Sequence, residues 1–459
     1  MKISLTDIFN LNNSIIYNPD KFKSVSKIST DSRTIKANSL YVALKGNKYD
    51  GHNFIKEAIL KGASAVMINK NRLKNFSNLD CTVITVPNTT LAYGELAAIF
   101  RSKFKGIVIS ITGSNGKTTT KEILATLLNE KFKTEKTLAN DNNHIGIPKT
   151  ILSTKNSTEV LVLEHGTNHF GEIEYTANIA QPDYAIITNI GDSHLEYLID
   201  RNGVYKEKST LLNAAINNGG KIFANTDDPL IKSQTKNIKK RITFGFNGKP
   251  NIMGKIIGYT PEGKTKLVVE YLNSKIEIDL PIYGSSSAKN VLISVGVALH
   301  LGLTPSQILA GISKISQVKG RLFVKPFSNA TLIDDTYNSN PASMMAAIDL
   351  LKRIKTYSTK TLVIGDMFEL GENAELIHKE LSKIILKSKI KNVFTIGKLM
   401  KNLSLELEKE KINSKYFSTR KLLTSFIKQY DFNNQVVLVK GSRGMKMEDF
   451  AEQIREKIN

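Results

Sequence analysis

Residues 107–121 read Ile-Val-Ile-Ser-Ile-Thr-Gly-Ser-Asn-Gly-Lys-Thr-Thr-Thr-Lys, and how this stretch is read decides the fold. The apolar run 107–111 has strand character, and Gly113 and Gly116 bracket a short polar loop. Lys117 and Thr118 then open a segment in which Ile123, Leu124, Leu127 and Leu128 recur at helical spacing. A strand, a glycine-flanked loop and a helix in that order present successive backbone N–H groups at the positive end of a helix dipole, and both favour a bound phosphate. Lys117 adds a point charge, and the Thr118 hydroxyl suits Mg2+. The strict phosphate-loop pattern has a glycine five residues before Gly116; Ile111 stands there, and Gly113 supplies the first glycine instead.

Around this loop, the length of 459 residues exceeds what a single hydrophobic core organises, so two or three domains are expected. A hydrophobic content of 41% is that of a soluble globular chain. The formal charge of +22 would suit a nucleic-acid partner. Against that, lysines far outnumber arginines and are scattered along the chain, there is no Trp, and no arginine–aromatic cluster resembles a base-stacking platform. Anionic small-molecule substrates fit the charge better, and no nucleic acid is expected. Cys81 is the sole cysteine, which excludes an internal disulfide and suits a reducing compartment. Residues 1–10 lack a basic-then-apolar signal pattern, and no apolar run approaches the ~20 residues of a spanning helix. The expectation is a cytoplasmic protein with no membrane contact, acting as a monomer.

The pattern of elements is α/β, in three units. Residues 1–105 form a small α/β domain, with strands at 39–44, 65–68 and 82–86 and a helix at 53–60. Residues 106–319 form the nucleotide-binding unit. Its strands at 160–163, 184–188 and 221–224 alternate with helical stretches, which implies a mainly parallel sheet. At 251–282 the period changes to two, as in an antiparallel meander, and 288–301 returns to helix. Residues 320–459 form a Rossmann-like domain: apolar runs at 331–333, 361–364, 392–396 and 436–439 each end in polar or glycine residues, as where strand ends line one ligand crevice.

Several polar groups follow strands closely enough to carry chemistry. Glu164 comes directly after the run 160–163 and could join Thr118 at a metal, since Mg2+ prefers oxygen ligands. His194 follows Thr188-Asn189; on spacing alone it reads as a loop histidine with no ligand role, and His144, His165 and His169 read as local hydrogen-bonding residues. Asn140-Asp141-Asn142-Asn143 is either a turn or the lining of a polar groove. Lys206 and Lys208 read as a solvated helix face. Asp334-Asp335-Thr336-Tyr337-Asn338-Ser339-Asn340-Pro341 is more elaborate than a turn requires. Lys440-Gly441-Ser442-Arg443 is a basic loop suited to an acyl phosphate or a carboxylate. Near the N-terminus, Asp31-Ser32-Arg33 and the stretch from Lys45 and Gly46 to Asp50-Gly51-His52 are either solvated turns or an anion and base site.

Taken in order, these motifs resemble the Mur ligase family nearly end to end. To those already quoted the resemblance adds Glu164-His165-Gly166-Thr167-Asn168, Asn225 to Asp228, Gly320-Arg321 and Gly365-Asp366-Met367 with Glu369-Leu370-Gly371. The family's loop departs from the strict pattern in the way Ile111 does. What the resemblance implies is an ATP- and Mg2+-dependent ligase acting on a UDP-N-acetylmuramoyl-peptide. The Asp-Asp-Thr-Tyr-Asn-Ser-Asn-Pro run looks like the member that adds D-alanyl-D-alanine to the tripeptide, with the member that adds the third residue as the nearest alternative. Carried over by position, Gly113, Ser114, Asn115, Gly116, Lys117, Thr118 and Thr119 would hold the ATP phosphates. Thr118, Glu164, His194 and Lys208 would be the metal contacts, Lys208 as a carbamate. Ser209-Thr210 stands where relatives carry glycine-glutamate, and Ser286 where many carry histidine. Asn290 would meet the adenine, and Arg321 and Asp335 the γ-phosphate and ribose, with Lys440 over the site. Asp31, Ser32, Arg33, Lys45, Gly46, Asp50, Gly51 and His52 would hold the uridine diphosphate. Asn140, Asn142, Asn143, Tyr337, Asn338 and Asn340 would line the peptide. From another class, a basic P-loop ATPase acting on nucleic acid and a catalytically silent nucleotide-binding scaffold stay open.

Overall fold

Three sheets organise the chain in the computed structural model, which describes residues 2–76 and 79–459. The first runs Ile15–Tyr17, Thr82–Val86, Ala63–Asn69, Ser39–Val42, Lys27–Ser29, parallel except for its first pair. The second has nine strands. Its parallel centre sets Ile107–Thr112 between Val160–Glu164 and Tyr184–Ile187, followed outward by Lys221–Asn225 and Arg241–Gly245. Ile252–Tyr259 joins parallel to Arg241–Gly245, and Lys264–Tyr271 and Ser274–Tyr283 complete an antiparallel meander. The third sheet centres Gln435–Lys440 between Ala330–Asp335 and Thr359–Gly365, continues in parallel to Asn392–Ile396 and Asn413–Phe417, and is closed by antiparallel Phe323–Pro326.

The connection from Ile107–Thr112 runs to one side of that strand, to Thr134–Lys136, and the crossover from Val160–Glu164 passes to its other side, to Tyr184–Ile187, so the sheet has a switch point there, where α/β sheets open a crevice at the carboxyl ends of the strands. The meander expected at 251–282 is present. Some elements differ from the sequence pattern. The helix at 53–60 is divided into a tight turn, Gly51–Phe54, and the α-helix Ile55–Leu60. Phe323–Pro326 and Asn413–Phe417 were not legible as strands because they are short edge strands with mixed exposure. Asp334 and Asp335 are the last two residues of their strand rather than the loop beyond it.

Burial joins the first two units. Leu96 and Phe100 of the first pack in one apolar cluster with Ile147, Ile151, Leu161 and Leu163 of the second. Arg101 reinforces this: its Nε donates to the Ala180 carbonyl at 2.8 Å and a terminal nitrogen to the Gln181 carbonyl at 2.8 Å, which satisfies carbonyls left open at the end of the helix Glu172–Ala180. Residues beyond 320 form cores on either side of the third sheet, one of which takes in Tyr283 from the meander. That unit meets the meander through the Lys355 amide, donating to the Pro261 carbonyl at 2.8 Å, and through the Arg353 guanidinium, 4.2 Å above the Tyr259 ring. Among the described residues, no helix is long and apolar enough to cross a membrane.

Candidate active site

The phosphate loop is held open by the neighbouring strand end. The Asn115 carbonyl accepts from Thr188 Oγ1 at 2.6 Å and Asn189 Nδ2 at 3.0 Å, while the Asn115 amide donates to Asn189 Oδ1 at 3.0 Å. Ser114 Oγ accepts from the Gly191 amide at 2.9 Å. A side chain at Gly113 would lie 1.9 Å from Thr188 Oγ1, and one at Gly116 would lie 2.4 Å from Asn290 Oδ1; both glycines have positive φ, so bulk and backbone alike exclude other residues. Gly116 caps the helix Lys117–Leu128 without a side-chain acceptor, leaving the first-turn amides for a ligand. Lys117 Nζ donates to the Gly113 carbonyl at 2.7 Å, curling back over the loop. Burial lowers its pKa, assisted by the charge of Arg321 and opposed by that of Glu164.

Across the loop stands Glu164, 2% exposed at its strand end. Its Oε1 accepts from Thr118 Oγ1 at 3.1 Å and Asn142 Nδ2 at 2.9 Å; its Oε2 receives no hydrogen bond and lies 3.5 Å from Lys121 Nζ. Lys121, fully buried, also donates to the Ala139 carbonyl at 3.2 Å and lies 3.2 Å from Glu122 Oε1. The loop motif does not reveal this lysine, but one signal in the sequence does: it falls on the apolar stripe of its helix, three and seven residues before Leu124 and Leu128. Asn143 serves the backbone, accepting from the Ile145 and Gly146 amides at the start of the next helix. Asn140 is exposed on the crevice.

Lys208, on the helix Arg201–Asn217, is 1% exposed rather than on a solvated face. Burial drives its pKa well below the ordinary lysine value, with the charge of Lys117 adding to the effect, so its amine is held toward the neutral, nucleophilic form. Beside it, Glu207 accepts the Gly171 and Ile173 amides at 2.7 and 2.8 Å. His194, at φ +55, turns its Nδ1 to within 2.6 Å of Glu369 Oε2 from the third unit. His165, by contrast, is enclosed, its two ring nitrogens 2.9 Å from Thr176 Oγ1 and Ser110 Oγ; burial brings its pKa down to about 3.

The third unit forms the opposite wall. The Arg321 guanidinium lies 3.9 Å over the Tyr337 ring, and that of Arg443 5.5 Å from it. Lys440, 1% exposed, donates to Asp335 Oδ2 at 2.6 Å and to the Asn338 carbonyl at 2.9 Å. Asn340 caps the helix Pro341–Arg353 and reaches the phosphate loop directly, its Nδ2 donating to Asn115 Oδ1 at 2.9 Å. Together these walls enclose a cavity of about 920 Å³. Ser114 to Lys117, Thr119, Asn140, Asn142, Asn143, Glu164, His194, Asn290, Arg321, Asp335, Lys440 and Arg443 line it; Thr118 is tied to it through its bond to Glu164, and Lys208 is not part of the lining.

The N-terminal candidates stand apart from this cavity. Asp31 and Arg33 form a side-chain pair, which with the Arg33 amide brings the Asp31 carboxyl down to about 2. Ser32 Oγ donates to Glu57 at 3.0 Å. His52, buried, has Nδ1 2.6 Å from Asp50 Oδ1 and accepts the Asn69 amide at Nε2, so it shapes the loop that Lys45 and Gly46 begin. The strand before Asp31, Lys27–Ser29, packs against the helix Gly146–Ser153 that follows the asparagine loop.

A phosphate loop at a switch point, facing a buried carboxylate across a crevice and closed by a separate basic α/β unit, defines a nucleotide-dependent group-transfer enzyme. The particular lineage is equally clear: the chain belongs to the Mur ligase family. Residues 24–101 match the model of the Mur ligase family, catalytic domain; 111–298 that of the Mur ligase middle domain; and 320–443 that of the Mur ligase, glutamate ligase domain. The UDP-N-acetylmuramoyl-tripeptide--D-alanyl-D-alanine ligase of Haemophilus influenzae is 35% identical over 450 residues, covering 96% of this chain and 95% of that one. A crystal structure of MurF from Acinetobacter baumannii superposes with a TM-score of 0.89 at 28% identity, covering 99% of each chain. MurF ligase from Thermotoga maritima in complex with ADP gives 0.82 at 28% identity, over 94% of this chain and 97% of that one.

Proposed function

We propose that this protein joins D-alanyl-D-alanine to UDP-N-acetylmuramoyl-tripeptide at the expense of ATP, making the pentapeptide precursor of peptidoglycan. We place it in the cytoplasm, working as a monomer on small-molecule substrates without nucleic acid. The observation that carries the reading is the phosphate loop opposite Glu164, walled by Arg321, Asp335 and Lys440, in a chain that matches ligases of that name over nearly its whole length.

A peptide carboxylate is a poor electrophile. The γ-phosphoryl group of ATP is therefore transferred to it first, giving an acyl phosphate and ADP; the dipeptide amine then attacks the acyl carbon, phosphate leaves with the bonding pair, and the amine gives up a proton. The first-turn amides of the helix Lys117–Leu128 and the Lys117 ammonium hold the transferring oxygens, where preorganised charge lowers the barrier. Arg321 and Lys440 add positive charge from the other wall. Asn140 and Asn142 orient the peptide end of the substrate, with Tyr337, Asn338 and Asn340 facing it. The cluster from Asp31 to Arg33 and the loop from Lys45 to His52 hold the uridine diphosphate, and Asn290 with Ser286 flank the adenine. Domain closure brings the walls together, with 316–319 as the hinge.

The residues fit Mg2+: Thr118 offers a hydroxyl and Glu164 a buried carboxylate whose Oε2 lacks a donor, the hard oxygen set this ion prefers. His194 and Lys208, the latter as a carbamate, would complete the metal contacts. When bound, the ion offsets phosphate charge. The reading is tested by phosphate release with ATP and UDP-N-acetylmuramoyl-tripeptide, with and without D-alanyl-D-alanine. Release should require the dipeptide, and Lys117→Ala should lose at least about a thousandfold in kcat while remaining folded. Release that ignores both peptides but rises with DNA or RNA would refute it.

A further inference from the structure

Glu369 belongs to a motif for which the reaction above has no use. Its partner across the domain boundary is His194 at 2.6 Å, and both residues hold left-handed backbone, φ +62 and +55. Neither is glycine or asparagine, so both conformations carry strain, and strain of this kind concentrates where a side chain must be aimed. The aim is into the cavity, which both residues line.

The other carboxylates of that cavity are already engaged. Asp227, Asp228 and Glu172 accept backbone amides, Asp192 pairs with Arg201, and Asp335 and Glu122 pair with lysines. Glu164 faces the phosphate loop. Glu369 has no lysine, arginine or amide donor among the described residues; it meets a histidine on the other side of the closing crevice and stays partly open to solvent. On the same loop, Phe368 is 42% exposed and leaves an apolar surface beside it.

The second substrate of the proposed ligase brings a free α-amino group, which near neutral pH is largely an ammonium. We infer that Glu369 is the ammonium-recognition residue for the incoming amino component, holding it beside His194 on the carboxyl-group side of the phosphate loop. A carboxylate on the closing unit couples dipeptide capture to closure, since the carboxylate reaches the reaction centre only when the two walls meet. This assignment rests on the ligase reading above.

The test uses the full-length enzyme. Glu369→Gln is nearly isosteric and half-exposed, so the variant folds, as its melting temperature will show. It is expected to raise the KM for D-alanyl-D-alanine at least about tenfold, with the KM values for ATP and UDP-N-acetylmuramoyl-tripeptide moving less than about twofold; a charge-assisted contact has that size. D-Lactyl-D-alanine, which carries a hydroxyl in place of the ammonium, should inhibit the wild type weakly relative to the dipeptide's KM, and this discrimination should collapse in Glu369→Gln and return in part in Glu369→Asp. If all three KM values shift together, or the discrimination persists, Glu369 is only an interdomain tie and the assignment falls. Wild-type protein that shows no dipeptide-dependent phosphate release refutes the ligase reading instead.

Discussion

Replacing Lys121 by methionine tests whether the buried charge behind the phosphate loop holds the site together. Lys121 is fully buried and Glu164 is 2% exposed, and the two lie 3.5 Å apart. Methionine fills much the same volume and removes the ammonium, so the change isolates charge from packing. Three contacts disappear: the approach to Glu164 Oε2, the bond to the Ala139 carbonyl and the pair with Glu122. Glu122 keeps Lys136, and Glu164 keeps Thr118 and Asn142 on its other oxygen. The uncompensated group is therefore Glu164 Oε2, and removing one partner of a buried pair costs about 3–5 kcal/mol. With the residual hydrogen bonds the lower figure applies, about 3 kcal/mol, or a fall of roughly 6–12 °C for a unit of this size. Thermal unfolding without nucleotide or metal measures it. Glu164→Gln in the same background neutralises the stranded carboxylate and should recover most of the loss, whereas Glu164→Gln alone should not stabilise the protein. A Lys121→Met protein that melts within about 1 °C of wild type, or a double variant with no recovery, would refute the reasoning.

Two further outcomes follow from buried groups. Lys208→Ala should be inactive and regain ligation with formate or acetate, which supply the carboxylate a carbamate would provide; full activity without additive, or none with it, counts against that role. Burial pushes the Cys81 thiol up to about 11, so at pH 8 about one native molecule in a thousand carries a thiolate, against roughly a quarter for an ordinary thiol. A disulfide reagent should thus label the folded protein at least about a hundredfold more slowly than the urea-unfolded chain, and equal rates would show that the first sheet does not enclose this residue.

The parts of the site that were legible in the chain are those in which local covalent order decides function. Gly113, Gly116, Lys117 and Thr118 need only a strand before them and a helix after them to form the loop proposed to hold phosphate, and both are encoded by apolar periodicity. Glu164 was legible for the same reason, as a polar residue closing a buried strand. Lys208 was legible only through the family resemblance, and its burial was not: its neighbours in sequence are polar or charged, and only packing of Arg201–Asn217 against the sheet shows that its amine is buried. Lys121 was passed over because a lysine inside a phosphate-loop helix is ordinary on the surface, and only the approach of Glu164 and Ala139 makes it internal. His194 and Glu369 lie 175 residues apart in sequence, and nothing local relates them.

By itself, then, the sequence determined the α/β class, the strand-loop-helix over 107–128 and the family, because strand-loop-helix units and glycine positions are short-range properties. Only tertiary structure decided which charges are buried, that the first two units share a core, and that Asn340 and Glu369 reach across to Asn115 and His194. Those facts depend on contacts between segments far apart in the chain. Burial and pairing, which set the chemistry of an ionisable group, do not exist until the segments meet.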